Sequence, residues 1–212
     1  MARTRSQHYD DIQAGILAKA ARLFATRGYE RTTIADLVEA CQLSRGSLYH
    51  YFESKEAILF GMLDALVRGL LDHLQKAVAE GGPPRAVFER VVASFVAYNA
   101  RSPNEQIILL NDLGSLSEAE QRQIRGIERE IVALVAKVLA AIDESGRMKA
   151  GNPKVYTMMF VSIINYTYAW YDPQGDVTPA EFAAMACDLF LNGFLQPQSL
   201  KELPKQRTAK RP

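Results

Sequence analysis

The segment Leu43-Ser-Arg-Gly-Ser-Leu-Tyr-His-Tyr-Phe-Glu-Ser-Lys-Glu56 constrains the fold of this chain more than any other. It reads as one short helix that stops abruptly and is followed at once by the start of another. Ser44 suits the first position, because its hydroxyl can accept from an orphan amide one turn in. At about 100° per residue, Leu48 and Phe52 share one side, with Tyr51 at its edge. Arg45, Gly46, Ser47, Tyr49 and His50 spread over the other side. That outward arc carries a cation, a small residue for close approach, hydroxyls and aromatics, and no acid. Such a surface suits phosphates and base edges. Ser54 then caps the next helix and sets Lys55 among amides that already favour an anion.

Upstream residues complete a three-helix unit. Ile16, Ala20, Leu23 and Phe24 recur with the period of one apolar helix face. Gly28-Tyr29 ends that helix with a residue that tolerates left-handed geometry. Thr33-Ile-Ala-Asp36 is a near capping box, with Asp where Glu or Gln is usual, and it opens a short helix through Ile34, Leu37 and Val38. Two short helices joined by a tight turn, Cys41-Gln42-Leu43, describe a helix-turn-helix.

At these residues the chain resembles the tetracycline-repressor (TetR) family of bacterial regulators. The resemblance runs from Ile16 to about Leu59, through Ile-Leu-Ala-Lys-Ala-Ala-Arg-Leu-Phe, Gly-Tyr-Glu-Arg-Thr-Thr-Ile-Ala-Asp-Leu and Ser-Arg-Gly-Ser-Leu-Tyr-His-Tyr-Phe-Glu-Ser-Lys-Glu-Ala. It implies that Thr33, Ser44, Tyr51 and Lys55 anchor the phosphate backbone. It also implies that Arg45, Gly46, Ser47, Tyr49 and His50 approach bases or nearby phosphates. Val38, Cys41 and Gln42 depart from the family's usual alanine, small residue and glycine, and these departures concern packing and turn geometry. Taken singly, Tyr49 and Tyr51 also suit half-buried core aromatics, and His50 a solvated histidine.

Composition agrees and excludes some classes. A chain of 212 residues holds a small reader and a larger second domain, and a hydrophobic fraction of 48% supports a packed core. A net charge of only +1 argues against indiscriminate coating of nucleic acid, so basicity must be local. Three His and two Cys, widely scattered, offer no metal-ligand spacing, and no cofactor is expected. Cys41 and Cys187 are too few for a disulfide framework and suit a reducing cytosol. Neither an export signal nor an apolar run long enough for a bilayer is evident, so a cytoplasmic protein with no membrane partner is expected.

The remainder is punctuated by helix starts. Ser102-Pro103-Asn104-Glu105, Ser117-Glu-Ala-Glu120 and Thr178-Pro-Ala-Glu181 read as capping boxes, Asn152-Pro153 starts another helix, and Gly81-Gly-Pro-Pro84 separates two more. The expected fold is all-α with about nine helices: a reader over 1–53, a helical ligand-binding and dimerisation domain over 54–198, and a basic, disordered tail over 199–212. The last two helices, roughly Pro153 to Tyr171 and Pro179 to Phe194, are too apolar for one neighbour to cover. The family resemblance implies that they pair with symmetry mates as a homodimer. Phe160, Ile164, Tyr171, Phe182, Met185 and Leu189 are the expected interface.

The same region also suggests a sensor for a small molecule. Aromatic and flexible apolar groups such as Tyr166 and Trp170 can line an adaptable pocket. Asn99, Asn111 and Asn165, polar residues in apolar surroundings, are pocket candidates because burial without a partner is costly. A second resemblance covers about Ile107 to Phe194, through Leu-Leu-Asn-Asp-Leu-Gly-Ser-Leu, Ile-Arg-Gly-Ile-Glu-Arg-Glu-Ile and Trp170-Tyr-Asp-Pro-Gln-Gly175. It looks like TetR-family regulators of lipid, steroid or aromatic-acid breakdown, which implies an acyl-CoA effector. Asp172 stands where that subgroup often has Arg. A CoA ligand needs cations for its phosphates, and the stripe Arg122, Arg125 and Arg129 supplies them, with Arg125 the expected contact. A solvated face paired with Glu118 and Glu128 explains the same spacing.

The expectation is therefore a repressor that binds a double-stranded, pseudo-palindromic DNA operator as a dimer and is released by an effector. Three alternatives remain: a multidrug-type sensor of lipophilic cations with Glu105 or Asp172 in its pocket, a helical protein-interaction module, and an enzyme. The last is disfavoured because no nucleophile elbow, phosphate loop or metal spacing is present.

Overall fold

The computed structural model describes residues 2–195, and the basic tail expected from 199 onward lies outside the described residues. Ten α-helices follow one another: α1 (Ala2–Arg27), α2 (Ile34–Cys41), α3 (Arg45–Tyr51), α4 (Lys55–Ala79), α5 (Pro84–Arg101), α6 (Pro103–Asp112), α7 (Glu118–Ile142), α8 (Arg147–Ala150), α9 (Pro153–Asn165) and α10 (Pro179–Leu195). Short 3₁₀ turns follow α6 and α9, over Leu113–Ser115 and Tyr166–Ala169. No strand occurs among the described residues. The helix beyond the expected nine is the single turn α8, too short to leave a periodic signature.

Local chemistry explains most helix starts. Thr33 and Asp36 form a reciprocal capping box on α2, as Ser117 and Glu120 do on α7. Thr178 and Glu181 exchange the same bonds at α10. Ser44, Ser54 and Asn152 each accept from an amide one turn inside α3, α4 and α9. The box expected at Ser102 does not form. Its amide already donates to Asn99 O, 3.1 Å away, closing α5. Glu105, with no amide to reach back to, turns instead toward a small pocket beside Leu17 and Tyr98.

The helix expected to run from Pro153 to Tyr171 also stops early, at Asn165. The Thr167 hydroxyl donates to Ile164 O at 2.7 Å, and the tighter 3₁₀ turn carries Tyr166 and Trp170 off the α9 stripe.

α4 is the spine of the molecule. Ile58, Leu59, Met62 and Leu63 are buried near its start, and Leu66, Val67, Leu70 and Leu74 further along. It packs on α1, α5, α6 and α7. Close approach to α5 depends on Gly69, where any Cβ would run into the Tyr98 hydroxyl. That hydroxyl donates to Leu66 O at 3.0 Å. At the far end Arg90 of α5 donates to Ala77 O and Gly81 O, satisfying carbonyls left over where α4 stops. α3 is held beneath by Leu48, 1% exposed, within the core formed with Phe24 and Leu37.

The turn between α2 and α3 carries a backbone cost. Gln42 adopts left-handed geometry at φ 55°, ψ 39° while its amide donates to Glu39 O. Glycine takes this conformation without a Cβ penalty. Gln42→Gly is therefore expected to raise stability by about 0.5–1 kcal/mol. Urea unfolding with an unchanged slope checks this, and a loss of stability would contradict the strain assigned to the turn.

Candidate functional site: an outward face and an interior cavity

The outward face of α3 is open. Arg45, Gly46, Tyr49 and His50 are exposed and Ser47 is half-buried. The Arg45 guanidinium stands 5.7 Å from the centre of the Tyr49 ring, so cation and aromatic project together. His50 and Tyr51 pack on Tyr9 of α1, with ring centres 5.9 Å and 4.7 Å away. Tyr9 is a brace that sequence reading missed, since no periodic signal places the start of α1 over the end of α3.

The residues expected to grip phosphates are engaged within the chain. The Thr33 amide and hydroxyl both donate to Asp36 Oδ2, at 2.8 and 2.6 Å. Those bonds, with Arg27 nearby, hold the Asp36 carboxyl below its ordinary range. Ser44 Oγ accepts from the Ser47 amide and shares a hydrogen bond with the Ser47 hydroxyl. Lys55 Nζ donates to Tyr29 O at 3.0 Å and Glu30 O at 3.4 Å, and stands 4.2 Å from the Tyr29 ring centre. Lys55 thus ties the start of α4 to the loop after α1, with one N–H left over.

Inside the second domain lies a cavity of about 520 Å³. Its wall is mainly apolar, with Leu66, Val67, Leu70, Phe95, Leu109 and Ile131 contributing. Arg125, Arg129 and Lys154, all exposed, stand on its rim. Glu128 is the one acid lining it. Burial pushes the Glu128 carboxyl up, and Arg125 and Arg129 draw it back down. Gln106 and Asn165 are polar groups on the wall, and Asn99 lies behind them. Arg122 is not on the rim and pairs with Glu118 at 3.3 Å.

Several expected contacts are placed elsewhere. Asn111 is exposed and does not line the cavity. Tyr166 and Trp170 are each 62% exposed, because the 3₁₀ turn swings them outward. Phe160 and Ile164, expected on the dimer face, are buried within the protomer, where Phe160 packs on Phe88 and Phe190. Tyr171 and Phe182 are half-buried against each other. Met185 and Leu189 lie fully outward, at 62% and 67% exposure.

Apart from Tyr49, Leu110 and Val177, every large exposed hydrophobic among the described residues lies on the stretch from α9 through the 3₁₀ turn to Trp170, or on α10. Asp172 and Glu105 line no part of the cavity. Asp172 Oδ1 accepts from the Gln174 amide in a tight turn, and burial pushes the Glu105 carboxyl up in its separate pocket. Of the expected basic stripe Arg125 and Arg129 reach the cavity, and Gln106, Glu128 and Lys154 join them beyond the expected contacts. Gln106 carried a usable signal, as a polar residue directly ahead of the apolar run Ile107-Ile-Leu-Leu110. No helix among the described residues is long and apolar enough to cross a membrane.

Engagement of Lys55 by two carbonyls makes a structural prediction. Lys55→Met should cost about 1.5–3 kcal/mol of stability, the range for hydrogen bonds to a charged group. Arg45→Ala should stay within about 0.5 kcal/mol. Thermal melting of both variants checks the split, and equal melting points would contradict it.

Comparison with known proteins agrees with this architecture. Residues 16–62 match the family described as bacterial regulatory proteins, tetR family, and residues 81–194 match the tetracyclin repressor-like C-terminal domain. The HTH-type transcriptional repressor KstR2 of Rhodococcus jostii is 31% identical over 87% of this chain and 91% of its own. The HTH-type transcriptional regulator EthR of Mycolicibacterium smegmatis is 26% identical over 86% of each. A solved TetR-family transcriptional regulator from Bordetella parapertussis is 35% identical, with a TM-score of 0.80 over 87% of this chain and 96% of that one. AibR, solved in complex with isovaleryl coenzyme A and operator DNA, shares the fold at 23% identity, with a TM-score of 0.72 over 84% of this chain and 97% of AibR. This chain belongs to the tetR family of bacterial transcriptional regulators.

Proposed function

We propose that this protein is a cytoplasmic repressor that binds a pseudo-palindromic operator as a homodimer and is released by an amphiphilic anion of the acyl-CoA class. DNA reading rests on the exposed face of α3. Arg45, Tyr49 and His50 meet base edges, and Gly46 lets the backbone approach. Ser44, Thr33, Tyr51 and Lys55 flank that face and keep the register on phosphates, through whichever donors their internal bonds leave over.

The cavity's charge carries the effector reading. An apolar interior rimmed by three cations matches a ligand with an apolar body and several phosphates. The ligand in the AibR complex, isovaleryl coenzyme A, is of that chemistry. A lipophilic cation would meet Arg125, Arg129 and Lys154 with only Glu128 to offset them.

The route from cavity to reader is short. α4 lines the cavity with Leu66, Val67 and Leu70, and its first turn is tied to the reader through Lys55. α6 lines it with Gln106 and Leu109 and packs on α1. A ligand that favours one setting of α4 and α6 thereby biases the spacing of two readers in a dimer. Release requires only a coupling of about 1–3 kcal/mol.

An operator selected from random duplexes would test this reading by mobility shift and calorimetry. Octanoyl-CoA is expected to bind and to weaken the complex about 5- to 150-fold. The double substitution Arg125→Ala and Arg129→Ala should weaken octanoyl-CoA about tenfold or more. Glu128→Gln should strengthen it. Tighter binding of a cationic dye than of octanoyl-CoA would overturn the effector class, and failure to select any duplex would overturn the DNA reading.

The apolar surface of α9 and α10 suits a two-fold interface. Leu189→Asp is expected to give a monomer in sedimentation and to lose operator affinity. A monomeric wild type, or a variant that stays dimeric, would contradict this placement.

A further inference from the structure

Besides Glu128, the cavity wall carries a relay of three amides from three helices. Gln106 Nε2 of α6 donates to Asn99 Oδ1 of α5 at 3.0 Å, and Asn99 Nδ2 donates to Asn165 Oδ1 of α9 at 3.3 Å. Asn99 and Gln106 are 4% and 5% exposed. Asn99 is closed off behind the wall, while the two ends, Gln106 and Asn165, line the cavity. Among the described residues no protein group takes up Gln106 Oε1 or Asn165 Nδ2. Three carboxamides linked head to tail leave one amide oxygen without a protein partner at one end and one amide NH2 group without a partner at the other. Turning all three amides over reverses the relay and exchanges the two ends, but the pair of open valences stays the same.

We infer that this relay selects effectors whose apolar body carries a hydroxyl. A hydroxyl both donates and accepts, so it can satisfy either end of the relay in either direction. A plain hydrocarbon displaces whatever solvates those ends and leaves a buried amide unpaired, which is the costly outcome. Glu128 and the rim cations read charge and the apolar wall reads shape and volume, so the relay is the part able to read a neutral polar group. The inference deepens the effector reading given above and rests on the same cavity. Because Gln106 sits on α6, which packs on α1, the group that reads the hydroxyl also belongs to a helix in contact with the reader.

Calorimetry on the full-length protein tests this with two probe sets. The first is octanoyl-CoA against β-hydroxyoctanoyl-CoA and ω-hydroxyoctanoyl-CoA; the second, without CoA, is naphthalene against naphthol. In at least one set a hydroxylated probe is expected to bind roughly tenfold more tightly than its parent. Gln106→Leu should erase that preference, because the amide that penalises the parent is gone. Asn165→Ala, at the half-buried end, replaces it if Gln106→Leu does not melt cooperatively.

Thioesters that bind with no hydroxyl preference, and no preference for naphthol, would overturn the relay and leave the acyl-CoA reading standing. Naphthol preferred over naphthalene with no thioester bound would overturn the acyl-CoA reading and support the relay. A hydroxyl preference that survives loss of the Gln106 amide would also overturn it.

Discussion

Burial of α4 along its whole length is the constraint on which the rest depends. The helix's first turns close the core of the reader, its middle forms part of the cavity wall, and its last turn is capped by Arg90. Each fully buried Leu, Ile or Val contributes about 1.5–3 kcal/mol, so sliding α4 along its axis would cost more than a small ligand supplies. A tilt that keeps those contacts is cheaper. In the proposed switch the bond from Lys55 to the Tyr29 carbonyl passes such a tilt to the reader, and the close approach of α4 to α5 at Gly69 under Tyr98 couples those two helices. Packing continuity, more than any one contact, joins the cavity to the outward face of α3.

Charge is distributed to match these two tasks. In a chain with a net charge of only +1, Arg45 stands on the open face of α3 and Arg125, Arg129 and Lys154 on the rim of the cavity. Many of the other basic residues are neutralised locally, as in the pairs Arg68–Asp64, Lys76–Asp72, Arg85–Glu89 and Arg122–Glu118. Exposed pairs of this kind contribute little to stability. They do leave Arg125, Arg129 and Lys154 as the local source of positive potential at the cavity. Glu128, pushed up by burial among them, tempers that potential without reversing it.

What was legible in the sequence was local. Caps at Thr33, Ser44, Ser54, Ser117, Asn152 and Thr178 depend on residues within one turn, and their chemistry is written in adjacent letters. Ser102 escaped because one residue serves two helices, and its amide was claimed by α5 first. The α9 region shows the other limit. Helical spacing puts Phe160 and Ile164 on one line of α9, but it carries no information on whether the protomer or a partner covers that line. Phe160 and Ile164, expected at the interface, are buried within the protomer, and Tyr166 and Trp170, expected in the pocket, are sent outward by the 3₁₀ turn. The cavity was only partly legible for a related reason. Gln106, Asn99 and Asn165 come from three helices, and only packing brings them together.

In the proposed mechanism, cavity and reading face are two ends of one equilibrium. Its most direct measurement is the affinity for octanoyl-CoA of the free protein and of the protein saturated with its selected operator. Linkage requires the operator to weaken octanoyl-CoA by the same factor by which octanoyl-CoA weakens the operator. Matching factors well above one are the predicted result. Identical affinity for octanoyl-CoA in the free and DNA-bound protein would contradict the account, whatever either site binds alone.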